Sequence, residues 1–359
     1  MRRAYLFLGL VMLAGCSPYY QGPPSDHFDG ERFFNPSRPM TNSFGTFLRW
    51  KMGLHPAGTP PRAEWPTSAP PRGTGPGGLA VPAARVMGNQ LVVTSIGHAS
   101  FLVQTQGLNI LLDPVFAERA SPVSWAGPKR ITPPGIAWEK LPPIDLVLVS
   151  HNHYEHLCLP TLQNLVARDN PTILTPLGNE KIIHSRIPNA KVITKDWSES
   201  LTFSPSLTVT LEPMQHWSAR GLADRRKALW AAMVLQTPGG SIYWAGDTGY
   251  GLADKAGVWF AEAGAKYPNL RLSILPIGAY EPRWFMQYAH MNPEEAVKAF
   301  AKTGAAYGIG HHFGVFHLTD EPWLQPTEHL AHALQTHNVP ATRFRPLWPG
   351  EVWNIPARP

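Results

Sequence analysis

The apolar run DLVLV at 145–149 leads without a break into SHNHYEHLC at 150–158, and this junction constrains the fold more than any other stretch of the chain. A run so rich in Leu and Val reads as a buried strand. His151, His153, Glu155 and His156 then fall on the loop at its carboxyl end, where functional groups tend to be mounted. Alternate residues of an extended segment point the same way, so His151 and His153 can grip one ion as neutral imidazoles while Glu155 and His156 turn toward a second. A single histidine there would read as a hydrogen-bonded structural residue. Three with a carboxylate between 151 and 156 read as a ligand set.

A centre for two ions needs ligands from elsewhere, and the chain supplies them in order. His216 follows the strand-like stretch 207–214 and opens HWSAR, and Asp247 closes SIYWAGD. A carboxylate at that position can bridge two cations about 3.5–4 Å apart. GIGHHFGVFH offers His311, His312 and His317 for the last place, and the residues alone do not choose among them. From Asn89 onward, short apolar runs alternate with turns: LVVTSI, SFLVQT, NILLDPVF, LVLVS, TILTP, KVITK, LTVTLEP, AAMVLQT, SIYWAG and RLSILPI. Helical stretches intervene at 159–169, 292–302 and 328–336. Asn292-Pro293-Glu294-Glu295 has the signature of a helix start, with a capping side chain, Pro in the first turn and acids at the positive dipole end. The alternation fits an α/β fold built as a four-layer αββα sandwich.

In order, the segments IGHASFLV, LLDPVF, GPKR, LPPIDLVLVSHNHYEHL, QHWSARGLADRRKALWAAMVL, YWAGDTGYG, PIGAYEPRWFMQYAHMNPEEAV and HHFGVF resemble the metallo-β-lactamase superfamily. Within it they are similar to the branch of the N-acylphosphatidylethanolamine-hydrolysing phospholipase D, and GAYEPRWFMQYAHMNPEEA is the stretch most particular to that branch. The resemblance selects the metallo-β-lactamase fold. It implies that His151, His153 and His216 hold a first metal, that Glu155, His156 and His312 hold a second, and that Asp247 bridges them. His312 is preferred to His311 because the branch has His, an aromatic and Gly in succession. Two Zn2+ ions are implied, with iron or manganese as the other candidates, and a water held between them as the attacking hydroxide. His98 in IGHAS and Asp113 in LLDP are implied supports that orient ligands. The branch carries Asp where this chain has Glu155, one methylene longer, which bears on the second ion. Cys158 stands where relatives have another carboxylate.

At the amino terminus, Arg2 and Arg3 precede an apolar stretch at 4–14, too short to span a bilayer and shaped like a secretion signal. Leu13-Ala14-Gly15-Cys16 resembles a bacterial lipoprotein signal, so residues 1–15 are expected to be removed and Cys16 to be acylated. Ser17, not Asp, favours the outer membrane, on its periplasmic face. Of the two cysteines only Cys158 would then remain as a thiol, and no intramolecular disulfide can form. Thirteen of the 38 prolines crowd between Pro18 and Pro82, and 16–88 reads as a Pro-rich tether and packing arm, with HFDGERFFNP and FLRWKM packing on the hydrolase domain, 89–359.

The formal charge of +6 falls to +4 without Arg2 and Arg3, and the one dense cationic group, Arg225-Arg226-Lys227, reads as surface, so a nucleic-acid partner is not expected. Lys129, Arg130 and Arg283 lie in shared motifs and are candidates to hold a phosphate, with structural ion pairing as their other reading. His290 and Trp284 are candidate substrate contacts. Trp217, Phe285, Met286, Phe313 and Phe316 add apolar surface suited to acyl chains. The resemblance therefore implies a zinc-dependent phosphodiesterase acting on N-acylphosphatidylethanolamine or a related lipid, membrane-held through its anchor. A lactonase or other ester or amide hydrolase of the same fold is the alternative. A lipoprotein that binds metal or lipid without turnover is the alternative of another class.

Overall fold

The computed structural model describes residues 19–36 and 43–359. In β4 (Leu146–Leu148), Leu146 and Leu148 point into an apolar layer between two sheets, whereas Val147 points to the opposite face, under helices. The same division of alternate residues, required by the pleat, recurs in β10 (Ser241–Trp244), where Ile242 and Trp244 face inward and Tyr243 faces out.

The first sheet has seven strands in the order β14-β1-β2-β3-β4-β5-β6. These are β1 (Val92–Gly97), β2 (Ser100–Thr105), β3 (Leu108–Leu112), β5 (Thr172–Pro176), β6 (Lys191–Lys195) and β14 (Val352–Asn354) around β4. The second runs β13-β12-β11-β10-β9-β8-β7, with β7 (Ser200–Ser204), β8 (Leu207–Glu212), β9 (Ala232–Gln236), β11 (Leu270–Pro276), β12 (Tyr307–His311) and β13 (Phe344–Pro346). Helices α2 (Leu159–Arg168) and α3 (Asn179–Arg186) cover the first sheet through Leu162, Leu165 and Ile183. Helices α4 (Val258–Lys266), α6 (Pro293–Thr303) and α7 (Gln325–Thr336) cover the second through Phe260, Phe300 and Leu330. The result is the expected αββα sandwich.

Strand direction decides where the chemistry sits. β1 is antiparallel to β2 and β2 to β3, and β4 lies parallel to β3, so β1, β3 and β4 run one way. β8 is antiparallel to β9 and β9 to β10, while β10, β11 and β12 are parallel, so β8, β10 and β12 also share a direction. Their carboxyl ends deliver His98, Asp113, the 151–156 loop, His216, Asp247 and His312 to one rim. β3 stops at Leu112, short of the expected 109–116, because Asp113 turns into the left-handed region at φ 37°. His98 and His312 are also left-handed, at φ 58° and 66°, conformations that cost about 1–3 kcal/mol each and tend to cluster at functional sites.

Asn292 caps α6 as expected: its side chain accepts from the Glu295 amide at 2.8 Å, and Glu295 accepts from the Asn292 amide at 2.9 Å. The arm is more firmly docked than a tether. Phe28 and Phe33 are buried on the outer face of the second sheet, and the Phe33 amide donates to Arg226 O at 2.8 Å. Within the Pro-rich stretch, the amides of Ala63, Ala69 and Ala80 donate to Asp320, Ile131 and Gly135 at 2.8–2.9 Å. Trp50 in α1 (Phe44–Lys51) donates to Asp320 at 2.7 Å and stacks on Phe285 of α5 (Arg283–Met286). The signal stretch 1–15 and Cys16 lie outside the described residues, among which no helix is long and apolar enough to cross a membrane.

Candidate metal centre

Two groups of side chains meet at the rim, each with ligand atoms within 4.8 Å of one another: His151, His153 and His216, and Glu155, His156, Asp247 and His312. In the first, His153 Nδ1 lies 2.9 Å from His151 Nε2 and 3.3 Å from His216 Nε2. Bonds of about 2.0 Å to one tetrahedral ion would set such atoms roughly 3.3 Å apart. His216 Nδ1 faces Ala289 O at 3.0 Å; donating there fixes the tautomer and leaves Nε2 a lone pair aimed inward. In the second, Asp247 Oδ2 is 3.0 Å from His156 Nε2 and 2.9 Å from His312 Nε2. The His312 contact lacks hydrogen-bond alignment, and Asp247 Oδ1 and both His312 nitrogens are buried without a hydrogen-bond partner. Buried polar atoms left in this state are costly unless something else satisfies them. Imidazole and carboxylate together suit zinc, iron or manganese, so the residues present fit the implied ions.

The electrostatics of the first group agree with that fit. Burial, reinforced by neighbouring imidazoles, holds His151 and His216 well below the usual histidine range and pushes His153 down to about 3, so all three are neutral at pH 7, as metal-binding imidazoles must be. Burial alone would lower His156 and raise Asp247. Their mutual attraction, with Asp113 behind His156 and His312 beside Asp247, drives His156 well above its ordinary value and Asp247 well below.

Around the ligands, Asp113 accepts from the Ser150 amide at 2.8 Å and from Ser150 Oγ at 2.6 Å as well as from His156. Asp113 thus fixes the ring of His156, a candidate ligand. His98 touches the centre more directly, its ring 4.0 Å from that of His312, and His98, His156 and His312 form a further possible ligand group. Arg220 ties the two ligand loops together: its Nη1 donates to Asn152 O and Leu157 O at 2.8 Å, and its guanidinium lies 3.9 Å above the Tyr154 ring. Ser150 and Arg220 were not singled out in the sequence. Arg220 had a signal, a cation three residues beyond Trp217 in a shared motif, while Ser150 had only its place beside His151.

Depth separates the site's parts. His151, His156, His216, Asp247 and His312 are buried, whereas His153, Tyr154, Glu155, Trp217 and His290 are partly exposed; Trp284 and Phe285, also partly exposed, pack against His55 and Trp50 of the arm. His290 joins His216 and Asp247 in another possible ligand group. His311 and His317 stand apart: His311 packs edge-on to Phe101, and His317 stacks on Trp65. The candidate phosphate contacts all have partners within the protein. Arg130 is buried, and its guanidinium donates to the carbonyls of Ala117, Thr132 and Val115. Lys129 pairs with Glu118 at the surface, and Arg283 is held by both Glu295 oxygens at 2.9 Å and by His290 O at 3.0 Å. Each is occupied in holding a loop. Met286, Phe313 and Phe316 are core, and Cys158 accepts from Thr161 Oγ1 in a small apolar cluster outside both ligand groups.

Residues 108–313 match the model of the Beta-lactamase superfamily domain. The chain is 36% identical over 279 residues, 75% of this chain and 77% of the relative, to N-acyl-phosphatidylethanolamine-hydrolyzing phospholipase D 1 of Caenorhabditis elegans. It is 34% identical over 241 residues to the mitochondrial N-acyl-phosphatidylethanolamine-hydrolyzing phospholipase D of Saccharomyces cerevisiae, covering 66% of this chain and 50% of that relative. Among solved structures, isothiocyanate hydrolase from Delia radicum gut bacteria superposes with a TM-score of 0.58 at 19% identity, over 73% of this chain and 98% of that one.

Proposed function

Because this chain belongs to the metallo-β-lactamase superfamily, in the branch of the N-acylphosphatidylethanolamine-hydrolysing phospholipase D, we propose that it is a zinc-dependent phosphodiesterase acting on N-acylphosphatidylethanolamine or a related lipid. The observation that carries the reading is Asp247, whose one oxygen stands within 3.0 Å of His156 and 2.9 Å of His312 while the other has no hydrogen-bond partner. His151, His153 and His216 would hold one ion, and Glu155, His156 and His312 the other, with Asp247 between. Ions bound there supply Lewis acidity to a phosphoryl oxygen and lower the pKa of a water toward about 7. Glu155, half-exposed at the mouth, orients that water and receives its proton. Attack by the water oxygen on phosphorus breaks the bond to the leaving alcohol, which takes up a proton, and leaves a phosphomonoester. Trp217, whose ring lies 4.6 Å from that of His153, offers apolar surface to acyl chains beside the centre.

The protein loaded with Zn2+ should cleave N-acylated phospholipids to a phosphatidic acid and an N-acylethanolamine, faster than simple phosphodiesters, lactones or β-lactams. Faster turnover of lactones would replace the reading with a carbonyl hydrolase. One ion or none per chain, with no turnover, would favour the binding protein.

Anchoring rests on the sequence before residue 19. We propose that cleavage before Cys16 and acylation of its amino-terminal residue hold the enzyme at the periplasmic face of the outer membrane. Cys16→Ser should release it from membranes, because the stretch before it is too short to span. Retention after a salt wash would refute the anchor.

A further inference from the structure

The side chain of Asn35, in the amino-terminal arm, is buried against the loop that carries His216. Its Nδ2 donates to the carbonyl of His216 at 2.8 Å and to the Tyr288 hydroxyl at 2.6 Å. Its Oδ1 accepts from Trp230 Nε1 at 3.2 Å, and that indole is shared with Met214 O at 3.0 Å. All of these groups lie at the base of the His216 loop. His216 fixes its ring by facing Ala289 O, the residue next to Tyr288, and Gln215 Nε2 donates to Tyr288 O at 2.7 Å. One amide therefore ties both partners of the bond that sets the His216 tautomer: the backbone of the histidine and the segment bearing its acceptor.

The arm is built to deliver that amide. Phe28 and Phe33 are buried in the outer core with ring centroids 4.7 Å apart, and Arg226 holds Phe33 at both backbone groups, at 2.8 and 3.2 Å. Farther along the arm, His27 is hydrogen-bonded to Asp196 at 2.8 Å. Asn35 cannot be replaced by a water without leaving a cavity beside a well-packed indole.

We infer that Asn35 is a positioning residue for the first metal, and that the amino-terminal arm is thereby part of the metal centre and not only a connection to it. The inference rests on the reading of His216 as a ligand. Asn35→Asp keeps the size and the acceptor for Trp230 but sets a carboxylate oxygen where the His216 carbonyl needs a donor. Asn35→Ala removes all three bonds without burying a charge. Partners behind metal-binding histidines are worth 10–100-fold in metal affinity.

The test is competition for Zn2+ against a chromophoric chelator, with the visible spectrum of the Co2+-loaded protein as a second readout, on the full chain and on both variants. His27→Gln is the control: it loosens the arm without touching Asn35. The expected result is a loss of about 10–100-fold in affinity for the tighter ion in Asn35→Asp, or in Asn35→Ala if the first does not fold, with a changed Co2+ spectrum. His27→Gln should lower Tm while leaving affinity and spectrum as in the parent. Parent-like affinity in a folded Asn35 variant, or an equal loss in His27→Gln, overturns the inference. Failure of the parent to bind an ion through His151, His153 and His216 would instead overturn the reading of the centre.

Discussion

Nδ1 of His156 donates to the Asp113 carboxylate across 2.5 Å, and both side chains are wholly buried. The bond fixes which imidazole nitrogen faces Asp247, and with it the direction of a candidate ligand in the second group. Asp113→Asn keeps the shape but removes the charge and lets the amide present a donor to Nδ1. Metal affinity at the second group should fall about 10–100-fold, read by chelator competition, with the first group's affinity largely kept.

Glu155 is the one departure from the branch pattern within the ligand set, and its carboxylate nevertheless reaches His156, Asp247 and His312. We therefore expect the surrounding shell to accommodate the longer side chain. Glu155→Asp should retain both ions and lower kcat, by up to about 100-fold if the carboxylate is drawn back by 1 Å. Glu155→Gln should lose the second ion. A rise in kcat for Glu155→Asp would mean that Glu155 holds the site away from its best geometry.

Arg220→Lys tests the tie between ligand loops. A lysine cannot reproduce the planar fork that serves Asn152 O and Leu157 O while covering Tyr154. Two buried carbonyls would lose a charged donor, at a cost of about 1–3 kcal/mol. Thermal unfolding should shift down accordingly, and zinc should dissociate faster from the His151–His153–His216 group. An unchanged metal off-rate would confine Arg220 to a purely structural role.

Docking of the arm should weaken as pH rises. Burial alone would lower the pKa of His27, but hydrogen bonds to Asp196 and Asp26 outweigh it and leave the pKa above the ordinary histidine value. A group whose folded pKa is raised contributes fully below its unfolded value, about 6.5, and loses that contribution as pH rises through the folded one. The stability difference between parent and His27→Gln, read from thermal unfolding, should therefore be largest near pH 6, on the order of 1 kcal/mol, and shrink above neutrality. A difference that grows with pH would show that His27 is neutral in the fold.

Ligand order was legible because each candidate follows an apolar run, and a strand that ends in a histidine or aspartate announces its own carboxyl end. The capping box at Asn292 was legible for the same local reason. What sequence could not supply was contact between distant segments. Nothing in NILLDPVF says that the strand stops at Asp113, because the left-handed turn there is stabilised by Ser150 from the neighbouring strand. Arg130 and Arg283 look like anion holders until the carbonyls of 115–132 and the carboxylate of Glu295 are seen around them. α4 and the short β13 and β14 carry too little periodicity to stand out, and their apolar residues have meaning only against α6, β12 and β1. Asn35 is the extreme case: an ordinary polar residue in a Pro-rich arm, whose role lies wholly in which loop it touches.

The shared direction of β8, β10 and β12 also limits how such a protein can change. Between β8 and β10 the chain reverses twice, so His216 and Asp247 emerge on the same side. Deleting β9 alone, or inserting one strand there, would make the number of reversals odd and send Asp247 to the opposite edge, some five residues of strand away from its partners. Only changes by whole hairpins preserve the site. The parity of reversals between His216 and Asp247 is thus as much a condition of the site as the side chains themselves, although no single residue records it.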